Sequence, residues 1–218
     1  MGQKVNPTGY RLGNTFTWKS RWYQSKDEYA AVALEDYRLR NYLEKLLANA
    51  QVVQIDIERS LTIIKIVLYV ARPGVVIGKG GSNLEVVKKG VERMLNVSKE
   101  RKDKVKIDLR VEEVKKPELS AKLVAETIAQ QLIKRYPARR AVNQALEKVM
   151  QAGAKGVKIC LSGRIGGAEI GRSEKYYQGS VPTQTLRAII DYHQIPAKTR
   201  SGYVGIKVWI YKGETQTE

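Results

Sequence analysis

The 218 residues carry 39 Lys and Arg against 22 Asp and Glu, a formal net charge of +17, and 43% are hydrophobic. That hydrophobic share supports a globular protein of one large or two small domains, and the charge calls for a polyanionic partner, because a lone domain gains only self-repulsion from it. A single cysteine, Cys160, and a single histidine, His193, exclude disulfide frameworks, zinc clusters and any Cys-His dyad assembled from several candidates, and apolar stretches such as LTIIKIVLYVA fall far short of the roughly 20 residues that span a bilayer.

The start, MGQKVNPTGYRLG, has no apolar signal core, and Asn6 stands where a myristoylation motif needs Ser or Thr, so the protein is expected to stay where it is made. Residues 1–26 contain Lys4, Arg11, Lys19, Arg21 and Lys26 and no acid, interleaved with Tyr10, Phe16, Trp18, Trp22 and Tyr23. This is a basic, aromatic arm, in which cations steer toward phosphates and rings stack on bases; the plain alternative is a solvated tail. From Asp27 to Asn49 the apolar positions Tyr29, Val32, Ala33, Tyr37, Tyr42, Leu43, Leu46 and Leu47 recur at three and four, the period of an amphipathic helix. Val53, Ile55 and Ile57, then Ile64, Ile66, Leu68 and Val70, alternate with other residues as two strands of a hairpin, with Arg59 and Ser60 at the reversal.

After Pro73 the sequence gives one short turn, GVVI, then GKGG at 78–81, then a helix announced by Ser82 and Glu85 as a capping box. Its buried stripe is Leu84, Val87, Val91 and Leu95, with Lys88, Lys89 and Arg93 opposite, and a strand with Val105, Ile107, Leu109 and Val111 completes the order αββααβ. The glycine loop is not a Walker loop, because three residues separate Gly74 from Gly78 and Gly80 follows Lys79. It is not a dinucleotide fingerprint either, because Asn83 stands where the third glycine belongs. No nucleotide cofactor is expected. What fits is G-x-x-G, Gly78 to Gly81, between a one-turn helix and a longer one, so that backbone amides and a positive helix end clamp phosphates: a type II KH module. The expected RNA contacts are Arg72, Gly78, Lys79, Gly80, Gly81, Lys88 and Lys89, with Val76, Ile77, Ile66 and Leu68 walling a base groove. The bland alternative is a turn that merely joins two helices.

The charged linker EEVKKPE leads through Pro117 into a second domain. A helix with the stripe Leu119, Leu123, Ile128 and Leu132 is followed, after Pro137, by one that buries Val142, Leu146 and Val149 and exposes Arg139, Arg140, Asn143 and Gln144. Strand signals follow in VKICLSG, EIGRSEKYY, LRAIIDY and YVGIKVWIYK, where Val204, Ile206, Val208 and Ile210 share a face. Cys160 runs with Val157, Ile159 and Leu161 in a strand, which makes it a structural, buried or half-buried thiol, and Glu169 and Glu174 read as partners for cations. The fold class is α+β: an arm over 1–26, a type II KH domain over 27–116, and a C-terminal α+β domain over 117–218 with two helices on a mostly antiparallel sheet.

GQKVNPTGYRLG, VVIGKGG, KPELSAKLVAETIAQQL, SGRIGGAEIGRSEKYYQGSVPTQTLRAIIDY and GIKVWIYKGE together resemble the bacterial-type small-subunit ribosomal protein three family, over nearly the whole chain. The resemblance implies a structural constituent of the small-subunit head, in the cytoplasm or a plastid stroma, with no active site, metal, cofactor or membrane association and no homo-oligomer. Its partners would be small-subunit ribosomal RNA, neighbouring small-subunit ribosomal proteins, and messenger RNA at the entrance channel. Ribosomal-RNA contacts are assigned to Gly2, Gln3, Lys4, Asn6 and Arg11 in the arm and to Arg164, Arg172 and Lys175 in the second domain. Messenger contacts are assigned to Arg139 and Arg140; many members place further cations one turn on, where this chain has Asn143 and Gln144, and the family's frequent long basic C-terminal tail is missing. The rival readings are a free KH regulator or processing factor, which the second domain argues against, and a DNA-repair lyase or nuclease.

Overall fold

A computed structural model describes residues 4–60, 62–95 and 106–215, with the backbone but not the side chain of Lys79. Val105, expected in a strand, and Gly2 and Gln3, expected at RNA, lie outside the described residues. The chain forms two compact units. One runs from Trp18 to Lys115; the other combines residues up to Thr17, including helix α1 (Pro7–Tyr10), with those from Lys116 onward. The arm expected over 1–26 is therefore divided between the units.

The first unit opens with β1 (Ser20–Arg21) and α2 (Lys26–Leu46), followed by β2 (Val52–Arg59), β3 (Ile63–Val70), α3 (Pro73–Ile77), α4 (Ser82–Met94) and β4 (Lys106–Glu113). The expected αββααβ order is present, with β1 added along β2. The sheet runs β1-β2-β3-β4; β2 and β3 are antiparallel, and β4 lies parallel to β3. Leu39, Leu43, Ile55, Ile57, Ile66, Leu68, Val76, Val87 and Val91 form its core.

Three local expectations are corrected here. The buried line of α2 is Asp36, Leu39 and Leu43, whereas Tyr29, Tyr37 and Leu46 are exposed. Asp36 is drawn inward because Ser20 Oγ, Trp22 Nε1 and the Arg59 guanidinium all donate to it, so Arg59 is the last residue of β2 instead of forming the reversal. Val52 rather than Val53 enters the core, because the pairing with β3 slips between Val52 and Gln54, as a β-bulge does.

The second unit continues through α5 (Ala121–Ile133), α6 (Ala138–Gln151), β5 (Gly156–Gly163), β6 (Arg172–Gly179), β7 (Ala188–Thr199) and β8 (Gly202–Glu214). Its sheet is antiparallel in the order β6-β5-β8-β7, with α5 over β7 and β8 and α6 over β5 and β6. Alternation puts Val157, Ile159, Leu161, Val204, Ile206, Val208 and Ile210 against Ala125, Ile128, Val142, Leu146 and Val149, as the periodicity predicts. The other sheet face carries Lys158, Cys160, Lys175 and Lys207. Among the described residues no helix is long and apolar enough to cross a membrane.

Candidate nucleic-acid interface

The glycine loop is shaped by backbone that side chains resist. Gly78, Gly80 and Gly81 have φ of 70°, 61° and 83°, in the region that L-residues avoid. A Cβ on Gly78 would stand 2.8 Å from the Asn83 Cβ, so the two ends of the turn touch, and Asn83 Nδ2 donates to the Val75 carbonyl at 2.7 Å to close it. In front of Gly80 and Gly81 there is open space. The expected capping box is absent: Ser82 is the first residue of α4, Gly81 is its N-cap, and no side chain caps the helix. No side chain therefore occupies the N-terminal end of this 13-residue helix, the dipole's favoured position for an anion.

Around this loop Arg72 and Lys89 are exposed and Lys88 is half-buried. The groove wall differs from expectation. Val76, Ile66 and Leu68 are fully buried in the core, and the apolar side chains left exposed beside the loop are Ile77, Val75 and Val86. On the outer sheet face of this unit three cations have carboxylate partners: Lys65 with Glu58 at 3.1 Å, Arg21 with Glu58 at 3.5 Å, and Arg110 with Asp108 at 3.1 Å. The Lys65 hydrogen bond, and then its charge, hold the Glu58 carboxyl below the usual range.

The N-terminal residues divide by role. Lys4 is exposed; Asn6 Oδ1 caps α1 by accepting from the Thr8 and Gly9 amides. Arg11, expected at RNA, is fully buried and donates to the carbonyls of Pro7, Pro182, Thr183, Thr185 and Ala188, which makes it a structural clamp and removes it from the RNA-binding set. Burial lowers its pKa. Trp22 is held by its indole bond to Asp36 and by the Tyr29 ring at 5.1 Å, while Trp18, Tyr23 and Tyr10 remain exposed for stacking.

In the second unit Arg139, Arg140, Asn143 and Gln144 line the exposed side of α6. Arg172 is exposed and donates to Glu174 Oε1 at 2.8 Å, which gives Glu174 the cation partner expected for it. Burial and a 2.6 Å hydrogen bond to Glu174 raise the Tyr176 pKa against the opposing fields of Arg139 and Arg172, so both arginines stand around this pair. Arg164, anchored by the Ala168 carbonyl, lines a cavity of about 480 Å³ with Arg135, Arg200 and Tyr136. Arg135 and Arg200 carried no sequence signal. Arg135 has φ of 61°, and its amide and that of Tyr136 bond back to Leu132 and Gln131 in a Schellman turn, where glycine is favoured. No group of His, Cys, Asp and Glu among the described residues is placed to hold a metal ion.

Comparison with known proteins agrees with this arrangement. A family model described as KH domain matches residues 38–119, and one described as Ribosomal protein S3, C-terminal domain, matches residues 128–210. The small ribosomal subunit protein uS3 of Vesicomyosocius okutanii is 49% identical over 214 residues, covering 98% of this chain and 90% of that protein. That of Nitrosomonas eutropha is 46% identical, covering 98% and 96%, and that of Caldanaerobacter subterraneus 48%, covering 98% and 93%. With relatives of this similarity spanning both units, the chain belongs to the uS3 family of ribosomal proteins, a family of structural proteins and not of enzymes.

Proposed function

We propose that the chain is a structural constituent of the small ribosomal subunit head in the bacterial cytoplasm, bound to small-subunit ribosomal RNA and neighbouring subunit proteins, and that α6 contacts messenger RNA in the entrance channel. The observation that carries the messenger reading is Arg139 and Arg140, exposed in the first turn of α6, which has no acid there. Cations at a helix N-terminus oppose the macrodipole, at about 0.3–1 kcal/mol each, so the fold keeps them at a cost that a polyanion would offset. The uncapped glycine turn, with Arg72, Lys88 and Lys89 nearby, supports RNA binding by the KH unit. A free KH regulator finds no support in the second unit, which resembles the ribosomal C-terminal domain.

The test is single-ribosome translocation with subunits carrying Arg139→Ala and Arg140→Ala. Assembly should be unaffected, pauses at a stable messenger hairpin should lengthen, and an unpaired messenger should pass at the normal rate. Because Asn143 and Gln144 are neutral, these two arginines carry most of the local effect; equal hairpin rates for mutant and wild type would remove the messenger role.

A further inference from the structure

Three loops of the second unit bring arginines to the cavity of about 480 Å³: Arg135 from the turn between α5 and α6, Arg164 from the loop after β5, and Arg200 from the turn between β7 and β8. The rest of the lining is largely aliphatic, with Ile165 and Val204 buried and Leu132 half-buried; Tyr136 and Pro137 border it. The loops that carry Arg164 and Arg200 meet closely, since a Cβ on Gly167 would stand 3.3 Å from Ser201 Oγ.

The cations are held there against local preference. Arg135 has φ of 61° in a Schellman turn that favours glycine, so the backbone keeps a strained residue where its guanidinium borders the cavity. Arg164 Nε donates to the Ala168 carbonyl at 2.7 Å, which fixes that guanidinium. Elsewhere in this unit Arg172 has Glu174 at 2.8 Å and Lys212 has Asp191 at 3.3 Å, whereas the cavity shared by Arg135, Arg164 and Arg200 has no carboxylate in its lining. Three guanidiniums without an internal anion call for one from outside, and their planar forks match carboxylates through paired hydrogen bonds. The aliphatic lining decides which kind of molecule carries that anion. Bases are recognised by stacking on rings or guanidinium planes, and a ribose phosphate leaves aliphatic carbon uncovered, whereas a leucine side chain buries it. The volume lies within the range of about 300–1,000 Å³ typical of ligand pockets.

We propose that this cavity receives a protein segment in which an aliphatic side chain is flanked by carboxylates. The aliphatic group enters against Leu132, Ile165 and Val204, and the carboxylates pair with Arg135, Arg164 and Arg200. This rests on the proposed function in taking a neighbouring subunit protein as the partner, and it gives that contact a place and a chemistry.

The test titrates the full chain with a fluorescein-labelled pentapeptide, one leucine between two pairs of glutamates, and reads anisotropy together with backbone amide shifts by NMR. Binding should move the amides around Arg135, Arg164 and Arg200. Glutamine in place of the peptide's glutamates, or serine in place of its leucine, should weaken binding roughly tenfold. Arg135→Gln with Arg200→Gln should also weaken it roughly tenfold, as expected for the loss of two exposed ion pairs that share one ligand. Arg135→Lys with Arg200→Lys should recover most of the affinity, which separates lost charge from a damaged turn. No binding, equal binding of either altered peptide, unchanged affinity in the charge-neutral pair, or shifts confined to other regions would overturn the site. None of these results would alter the ribosomal reading, which sedimentation with small subunits tests separately. Oligouridylate that displaces the peptide, and moves the same amides in wild type but not in the charge-neutral pair, would overturn the protein assignment in favour of RNA.

Discussion

Arg11 offers a direct test of whether the N-terminal segment is a clamp or an RNA contact. Its guanidinium is fully buried and makes bonds of 2.7, 2.7 and 3.0 Å to the carbonyls of Ala188, Thr185 and Thr183, with longer ones to Pro7 and Pro182. At about 1.5–3 kcal/mol per charge-assisted bond, the three short ones amount to about 4.5–9 kcal/mol gross. Desolvating the guanidinium returns several kcal/mol of that, so Arg11→Ala should cost about 3–5 kcal/mol net. Arg11→Lys should recover little, because a tetrahedral ammonium with three donors cannot serve carbonyls set out for a planar fork. In thermal melts of the full chain the transition that reports on the second unit should fall by roughly 10–20 °C, taking about 4 °C per kcal/mol. The salt slope of RNA binding by the folded lysine variant should not change, since Arg11 reaches no phosphate. A melt within about a degree of wild type, together with a flatter salt slope, would refute the clamp and restore Arg11 to the RNA surface.

Lys79→Asp with Gly80→Asp sets two negative charges at the open turn; each close repulsion costs about 1 kcal/mol in water and about 4 kcal/mol in less polar surroundings. Single-strand affinity by anisotropy should drop roughly tenfold or more while the circular dichroism spectrum is retained. Asp36→Ala should lower stability by about 2–4 kcal/mol, read as a lower urea midpoint, because the Arg59 guanidinium, only 11% exposed, and the Trp22 indole lose their shared acceptor while Arg59 keeps Glu35 at 3.0 Å. Arg135→Gly should relieve the left-handed backbone and raise stability by about 0.5–1 kcal/mol in denaturant titrations, while weakening RNA binding if the Arg135, Arg164 and Arg200 cavity faces phosphate.

Much of the architecture is legible from period alone. Alternation marks the buried face of β5 and β8, and the three-and-four spacing marks α4, α5 and α6, because each of these elements turns one side toward the core of its unit. The glycine turn is legible because its backbone demands residues without a side chain. What escapes are features set by distant partners. Asp36 turns inward to meet Arg59 on the hairpin, which reorders the face of α2 against its own apolar period. Arg11 is buried by carbonyls more than 170 residues away in sequence. The lysine rows on the outer sheet face exist only once the strand register brings Lys158, Lys175 and Lys207 together. Sequence reasoning also expects Ile66 and Leu68 in a base groove, although their alternation already assigns them to the core side of β3.

The central claim, that this chain is an integral part of the small ribosomal subunit, is tested most directly by sedimenting lysate of the source cells on a sucrose gradient after a high-salt wash. A structural constituent should remain with the small-subunit peak, in proportion to its ribosomal RNA, because many phosphate contacts and protein neighbours hold it at once. Recovery of the protein at the top of the gradient, away from small subunits, would contradict the account.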